Sequence, residues 1–467
     1  MLQPENITFV NMLGLTFLLA MASLLMVLPR KYALLPIIML TCYMTLGQTV
    51  AIFGLNFNFF RILVLIGWVR VFLRGEARGI RLNKIDTLLI ALIASSWLIY
   101  VLLWQTTAAA INKFGRAYDA IGLYFLFRFL VRDFHDILRF CRMTAVLIIP
   151  LAMAMGIEKL TGHNAFAIFG GVPEVTAVRT GSLRVQGPFR HPILAGTFGA
   201  TLFPVFVGLW QQGKGNRLLS LLAVLSCGTI TVASASSGPL FAFLSGLLAL
   251  ALWPLRNHMS RIRWGILLTV VGLELVMKAH VWYLMGRVNI VSGSTGFHRA
   301  YLIDRAFANL GDWWLIGTRS TADWTDESIN LFDVTNQYIA YGADGGLITM
   351  LLFILVIVRC FRAVGLTVRA LGEESPKLQF YVWALGAALF THVVTFLSVT
   401  YFDQNLVNWY LLLAAISTAS LSVQGVWTKE RGLNDPLPVA AALGRSRFEA
   451  GRQSETPVFH ADKRRST

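Results

Sequence analysis

Apolar runs of roughly the length that crosses a bilayer recur along nearly the whole chain, separated by short basic connections. They lie near 9–29, 32–52, 59–73, 86–104, 116–132, 142–158, 192–211, 218–234, 238–254, 264–280, 336–358, 379–399 and 405–424. This spacing predicts an all-α polytopic membrane protein with about thirteen transmembrane helices. The segments at 59–73 and 116–132 are the shortest or most charged of the set. The first run lacks a basic leader and a small-residue cleavage site, so it reads as a span and not as a cleavable signal.

The connections test this count. If the N-terminus lies outside, the inner loops hold Arg30 and Lys31, then Arg74, Arg78, Arg81 and Lys84, then Arg132, Arg139 and Arg142. Lys214 and Arg217 follow, then Arg256, Arg261 and Arg263, and then Arg359, Arg362, Arg369 and Lys377. Every short basic loop therefore falls on one side, as the positive-inside bias requires. The expected location is the cytoplasmic (inner) membrane, multi-pass, with the N-terminus outside and the C-terminus cytoplasmic. Residues 1–424 form the integral membrane domain, and 425–467 read as a flexible, basic cytoplasmic tail.

Composition sharpens the picture. The chain has 467 residues, of which 56% are hydrophobic and 14% charged, against about 25% charged in a soluble protein. The formal net charge of +16 sits mainly in the short loops and the tail. There it sets topology, so no nucleic-acid partner is expected. Cys42, Cys141, Cys227 and Cys360 have no metal-ligand spacing and no obvious partners, which supports neither a disulfide framework nor a metal site. No cofactor is implied.

Two long outer connections, 159–191 and 281–335, carry seven arginines and one lysine at the edge. Basic residues on that side run against the usual bias. Arginines retained there suit an anionic ligand at the membrane surface, because guanidinium binds phosphate oxygens in a planar fork. The first connection ends Arg184-Val185-Gln186-Gly187-Pro188-Phe189-Arg190-His191-Pro192, leading into a helix start. In the second, Ser294 to Ala308 alternates at helical spacing and predicts a short amphipathic helix at the interface. Asp312-Trp313-Trp314 then offers aromatics for headgroup anchoring or for stacking on sugar rings. An acidic stretch follows from Asp323 to Glu327. Among charges at depth, Arg116 and Asp119 share one helical face. They are either a local ion pair, or Arg116 lines the same outer cavity as the loop arginines. Glu274 and Lys278 have the spacing of a helical pair. His392 reads as a hydrogen-bonded interior histidine and Asp403 as a helix cap.

These pieces, in this order, resemble the O-antigen ligase and O-antigen polymerase family of polytopic membrane glycosyltransferases. The resemblance is carried by Arg184 to Gly187 with Phe189-Arg190-His191-Pro192, by the Ser-rich helix start Ala233 to Pro239, and by Ser294 to Arg299. It continues through Leu315-Ile316-Gly317, Thr335-Asn336-Gln337-Tyr338-Ile339 and Asp344-Gly345-Gly346, so it covers about residues 180–360. One departure matters. Where the family's ligases have a histidine thought to act as base, this chain has Thr335, which does not take a proton near neutral pH. That leans the expectation toward polymerase-like or exopolysaccharide-assembly activity.

The resemblance implies a polyprenyl-diphosphate-linked glycan donor, a glycan acceptor and surface-polysaccharide assembly without a metal. Membrane lipids and other envelope polysaccharide-assembly proteins are the further partners it implies. Arg184 and Arg299 are then the expected diphosphate clamp, with Arg190, Arg305 and Arg116 as further ligands. His191 or Asp333 is the candidate catalytic base, and Asn336 and Tyr338 are candidate substrate-positioning residues. A flippase of lipid-linked sugars, a ligase toward a lipid or protein acceptor, and a scaffold are the competing readings.

Overall fold

The structure is a computed structural model of the chain and describes residues 10–52, 55–287, 296–324, 334–372 and 375–430. The predicted tail from 431 onward, Ser294 and Thr295, Asp333, and the acidic stretch beyond Trp324 lie outside the described residues. The helices in chain order are α1 Met12–Val27, α2 Leu34–Tyr43, α3 Phe59–Leu73, α4 Lys84–Trp104, α5 Thr107–Leu130, α6 Phe134–Thr161, α7 Pro192–Trp210 and α8 Arg217–Ala233. They continue as α9 Ser237–Ala251, α10 Met259–Val276, α11 Leu284–Arg287, α12 Gly296–Ala308, α13 Leu310–Trp313, α14 Gln337–Leu371, α15 Pro376–Phe396 and α16 Gln404–Glu430. Two antiparallel hairpins, β1 Thr49–Ile52 with β2 Leu55–Asn58 and β3 Val178–Arg179 with β4 Ser182–Leu183, are the only sheet among the described residues.

Among the described residues, seven helices are long and apolar enough to cross a membrane, or eight if the bent pair is one span. That pair is Ser237–Ala251 with Trp253–Val276, bent by 74° and expected from sequence as two spans. Each of the predicted segments falls on a helix, yet several are too short or too charged to meet that criterion. The segment at 32–52 is helical only over Leu34–Tyr43, and a hairpin takes its far end. The segment at 116–132 is longer than expected, beginning at Thr107 behind the Thr106 N-cap. α16 likewise continues past residue 424, the expected end of the membrane domain.

The core centres on α7, α15 and α16. In the apolar stretches of α7 and α16, 83% of residues are buried, against 28% in α4, whose outward face exposes apolar side chains such as Ile90, Leu98 and Leu102. Small residues let these helices approach. A Cβ on Gly208 would lie 2.7 Å from Ala384, and one on Gly246 would lie 2.6 Å from Thr391 Oγ1.

The connections sort into two ends. At one, the short basic loops meet: Arg30 pairs with Asp136, Arg142 with Asn216, and Gln212 with the carbonyl of Lys377. At the other, the long connections gather. Asn11 donates to the carbonyl of Ile168, Gly47 packs on Gly171, and Arg319 donates to the carbonyl of Leu103.

At this second end α14 is broken. Gly345 and Gly346 leave helical geometry, Gly346 at φ +70°. The segment after α13 docks in the break, where Thr318 N–H donates to Ala343 O and Leu347 N–H donates to Trp314 O, both at 2.8 Å. Backbone groups released by a kink at membrane depth need such partners. The glycine pair thus breaks the helix to admit a loop. The short amphipathic helix expected in the second long connection is present as α12. Its buried face, with Leu302 and Ala306, joins Trp313, Trp324, Ile339 and Ala343 in a small core over the first half of α14. Trp313 is therefore interior, its indole donating to Ala306 O, and only its neighbour Trp314 is half-exposed.

Candidate functional site: an arginine cluster at the start of α9

The end of the first long connection is held from below by a carboxylate. Glu158, in the last turns of α6, accepts from the N–H groups of Gln186 (3.1 Å) and Gly187 (2.9 Å) and from Thr176 Oγ1 (3.1 Å). Gly187 sits at φ +55°, with Met155 against its Cα, so a side chain there meets both strain and contact. Asn164 Nδ2 donates to Gly187 O, and Val185 N–H donates to Ala233 O at the end of α8. This fixed path delivers Arg184 to the start of α9, where its Nη2 donates to Ser236 Oγ at 3.0 Å.

Arg299 reaches the same place from a different part of the sequence. It lies on α12, and its guanidinium is 3.5 Å from where a Cβ on Gly238 would sit, with Ser398 Oγ on the same side at 3.1 Å. Gly238 is two residues from Ser236, so both guanidiniums stand at the first turn of α9. Arg179, on the β3–β4 hairpin, is close enough to disfavour the charge on both. Among the described residues no carboxylate pairs with any of the three, and the Nε atoms of Arg184 and Arg299 are buried without a hydrogen-bond partner. Burial, with Arg179 adding, lowers the Arg184 guanidinium from its usual value and takes Arg299 down to about 10. Both stay charged at neutral pH. The N-terminus of α9 adds partial positive charge, so the arrangement suits one anion with several oxygens.

The other sequence candidates disperse around this centre. Arg190 is exposed, forms an ion pair with Asp403 at 3.2 Å and lies over the Phe402 ring. His191 caps α7, its Nδ1 accepting from Ile193 N–H at 3.1 Å. Arg305 stacks on Tyr301, further along α12. Arg116 faces a separate cavity and contacts Asp344 at 3.4 Å, while Asp119, its expected partner, is held by both Nε and Nη2 of Arg61. Asn336 caps α14 and is buried, and Tyr338 OH donates to Val393 O, so their polar atoms serve the protein's own backbone. Asp333 is outside the described residues. Among the remaining charges, Glu274 takes His280 and Val281 N–H in place of Lys278, and His392 is buried with its Nδ1 against Tyr401 OH, as expected.

Sequence reasoning placed Asp403 at a helix start but missed the bonds by which its turn, 400–404, ties the region together. Thr400 Oγ1 donates to Val334 O, Tyr401 N–H to Gln337 Oε1, and Gln404 Nε2 to the carbonyls of Met44 and Pro188. Asp403, in the left-handed region at φ +59°, has its Oδ2 buried in an ion pair that lacks an aligned hydrogen bond. Burial holds this carboxyl above the usual aspartate range, against the pull of Arg190. A φ above zero at a non-glycine residue stores strain of a kind that clusters at working sites. Glu158 was likewise missed, though an acidic residue at the end of an apolar run was the available signal.

No family model matches this chain, and no curated protein matches it. Among the described residues no cluster of His, Cys, Asp and Glu has the arrangement to hold a metal ion.

Proposed function

We propose that this protein is a membrane glycosyltransferase of the O-antigen ligase and polymerase type. It acts on a glycan linked to a polyprenyl diphosphate at the outer face of the cytoplasmic membrane, with the thirteen-span arrangement and an external N-terminus. One observation carries the reading: Arg184 and Arg299, more than a hundred residues apart, bring to the first turn of α9 guanidiniums that have no carboxylate partner among the described residues. Glycosyl transfer from such a donor expels a diphosphate from the anomeric carbon. Charge then builds on the leaving oxygens, and fixed donors aimed at that charge in a dry site contribute the largest part of catalysis. Guanidiniums meet the need because they stay protonated and bind phosphate through two parallel N–H groups.

Thr335 in place of a histidine favours extension of a polymer over transfer to a lipid acceptor. The test is glycan assembly in a deletion strain complemented with Arg184→Lys or Arg299→Lys at matched protein level. Loss of polymer in both is expected, because lysine keeps the charge but not the fork. Normal polymer from both removes the clamp. A ladder of products from a defined lipid-linked oligosaccharide indicates polymerase, a single transfer indicates ligase, and movement between leaflets without elongation indicates a flippase.

A further inference from the structure

A second polar cavity, of about 130 Å³, lies between α4, α5, α14 and α16. Its two long walls are helix faces with matching spacing. α5 presents Lys113 and Arg116, and the first half of α14 presents Gln337, Tyr341 and Asp344. Residues three, four and seven apart share a face, which explains why Asn336 and Tyr338 point elsewhere while Gln337 and Asp344 do not. Lys113 Nζ and Arg116 Nη1 both meet the same oxygen, Asp344 Oδ2, at 2.7 and 3.4 Å. Asp344 Oδ1 takes no hydrogen bond among the described residues, and most donors of the exposed Arg116 are unused. Trp97 and Tyr401 add aromatic surface.

A charged trio with a largely buried lysine is costly at this depth, and a purely structural ion pair has no use for an adjoining space much larger than one or two waters. Two cations around one carboxylate leave the trio with a single net charge, too little for a polyanion such as a diphosphate to be its preferred occupant. What remains is a neutral polyhydroxylated ligand. Free carboxylate oxygen and free guanidinium N–H groups accept from and donate to neighbouring hydroxyls, and aromatic rings cover the apolar face of a sugar ring. Tyr401 belongs to the turn whose Ser398 stands beside Arg299 and Gly238. Three residues of extended chain span at most roughly 10 Å, so the cavity and the arginine cluster flank one short turn.

We propose that this cavity is a subsite for the acceptor glycan, with Arg116 and Asp344 as its principal hydrogen-bonding residues. The inference rests on the glycosyltransferase reading, because it names the second substrate of that site. The test uses the full chain in lipid nanodiscs with two probes: lipid-free oligosaccharides released from the host's own cell surface, and inorganic pyrophosphate. Arg116→Gln and Asp344→Asn each weaken oligosaccharide binding by about tenfold, the loss of one charged hydrogen bond, and leave pyrophosphate binding as it was. Arg184→Lys gives the reverse. Because Arg116 is exposed, its variant keeps the measurement open if the Asp344 variant fails to fold. Oligosaccharide affinity unchanged in a folded Arg116→Gln variant overturns the inference, and so does a wild-type chain that binds pyrophosphate but no oligosaccharide. In both outcomes the clamp reading survives. It falls separately if Arg184→Lys binds pyrophosphate like the wild type.

Discussion

Arginines are enclosed at both ends of this protein, fully buried at one and half-buried at the other, and the two ends treat them in opposite ways. At the end of the short basic loops, Arg70 is fully buried and bidentate to Glu76, with a further bond to Leu28 O at 2.7 Å. Arg128 there contacts both oxygens of Asp86 and Thr418 Oγ1, and Asp86 also accepts from Tyr124 OH and Ser417 Oγ. At the other end, Arg184 and Arg299 have no carboxylate partner among the described residues, and their Nε atoms are buried and unsatisfied. A buried charge is tolerated in a fold when it is paired and hydrogen-bonded. The paired set is therefore complete as architecture, whereas the other set keeps unused donors among the described residues, which under the proposed function are met by an anion. Depth of burial and counter-charge both separate the two: Arg70 and Arg128 are fully buried and paired, while Arg184 and Arg299 are half-buried and, among the described residues, unpaired.

The sharpest way to break this contrast is to remove one partner at the paired end. Asp86→Ala leaves Arg128 buried and alone, which is expected to cost about 3–5 kcal/mol. The measurement is thermal melting of the detergent-solubilised chain, and a melting point equal to wild type sinks the claim. At the unpaired end the sign reverses. Arg299→Met removes a desolvated cation and is expected to leave melting unchanged or raised, while glycan assembly falls by roughly 100-fold or more, as for a lost charge-stabilising donor. Activity and stability then move in opposite directions, as they do where a site is built for function at the expense of the fold. Parallel loss of both in Arg299→Met makes that residue structural and erases the contrast. A smaller effect separates the loop scaffold from the cluster it supports. Gly346→Ala places a Cβ 2.3 Å from Leu315 O at a φ of +70°, with an expected cost of about 1–3 kcal/mol and loss of the docked 314–318 segment, read by protease accessibility.

How much of this was legible in the sequence depended on whether a signal was local. Apolar runs located the helices because a single segment contains all the information needed to bury its backbone. The Arg184 and Arg299 candidates were also reached from sequence, since arginine in a connection expected to face outward conflicts with a local rule. Their meeting at Ser236 to Gly238 was not legible, because it depends on Glu158 holding Gly187 and on α12 packing over α14. The hairpin at 49–58 was hidden inside an apolar run that period alone cannot assign. Arg116 and Asp119 misled for a related reason: three-residue spacing proves a shared face, not a shared bond, and Arg61 from α3 took Asp119. Asn336 and Tyr338 stood out by motif, yet one caps its own helix and the other bonds α15, and the neighbouring positions face the cavity.

Asp403 supplies the finest test, because it stands between the two regimes: a buried carboxylate with one exposed partner, Arg190. Its folded proton affinity is raised, chiefly by burial, so the folded state holds that proton more tightly than the unfolded chain does. Ionising Asp403 therefore costs stability above its folded value, and the cost disappears as pH falls through that value toward the ordinary aspartate range. The ion pair offsets little, since an exposed guanidinium is screened by water. Acidification of the wild type from neutrality is thus expected to show a stabilising contribution from this position, which the Asp403→Asn variant lacks. The measurement is the difference in melting temperature between the two proteins followed across mildly acidic pH. A gap that narrows in the variant's favour as pH falls means the opposite sign, with Arg190 holding the carboxylate ionised, and would move Asp403 into the fully paired class with Asp86.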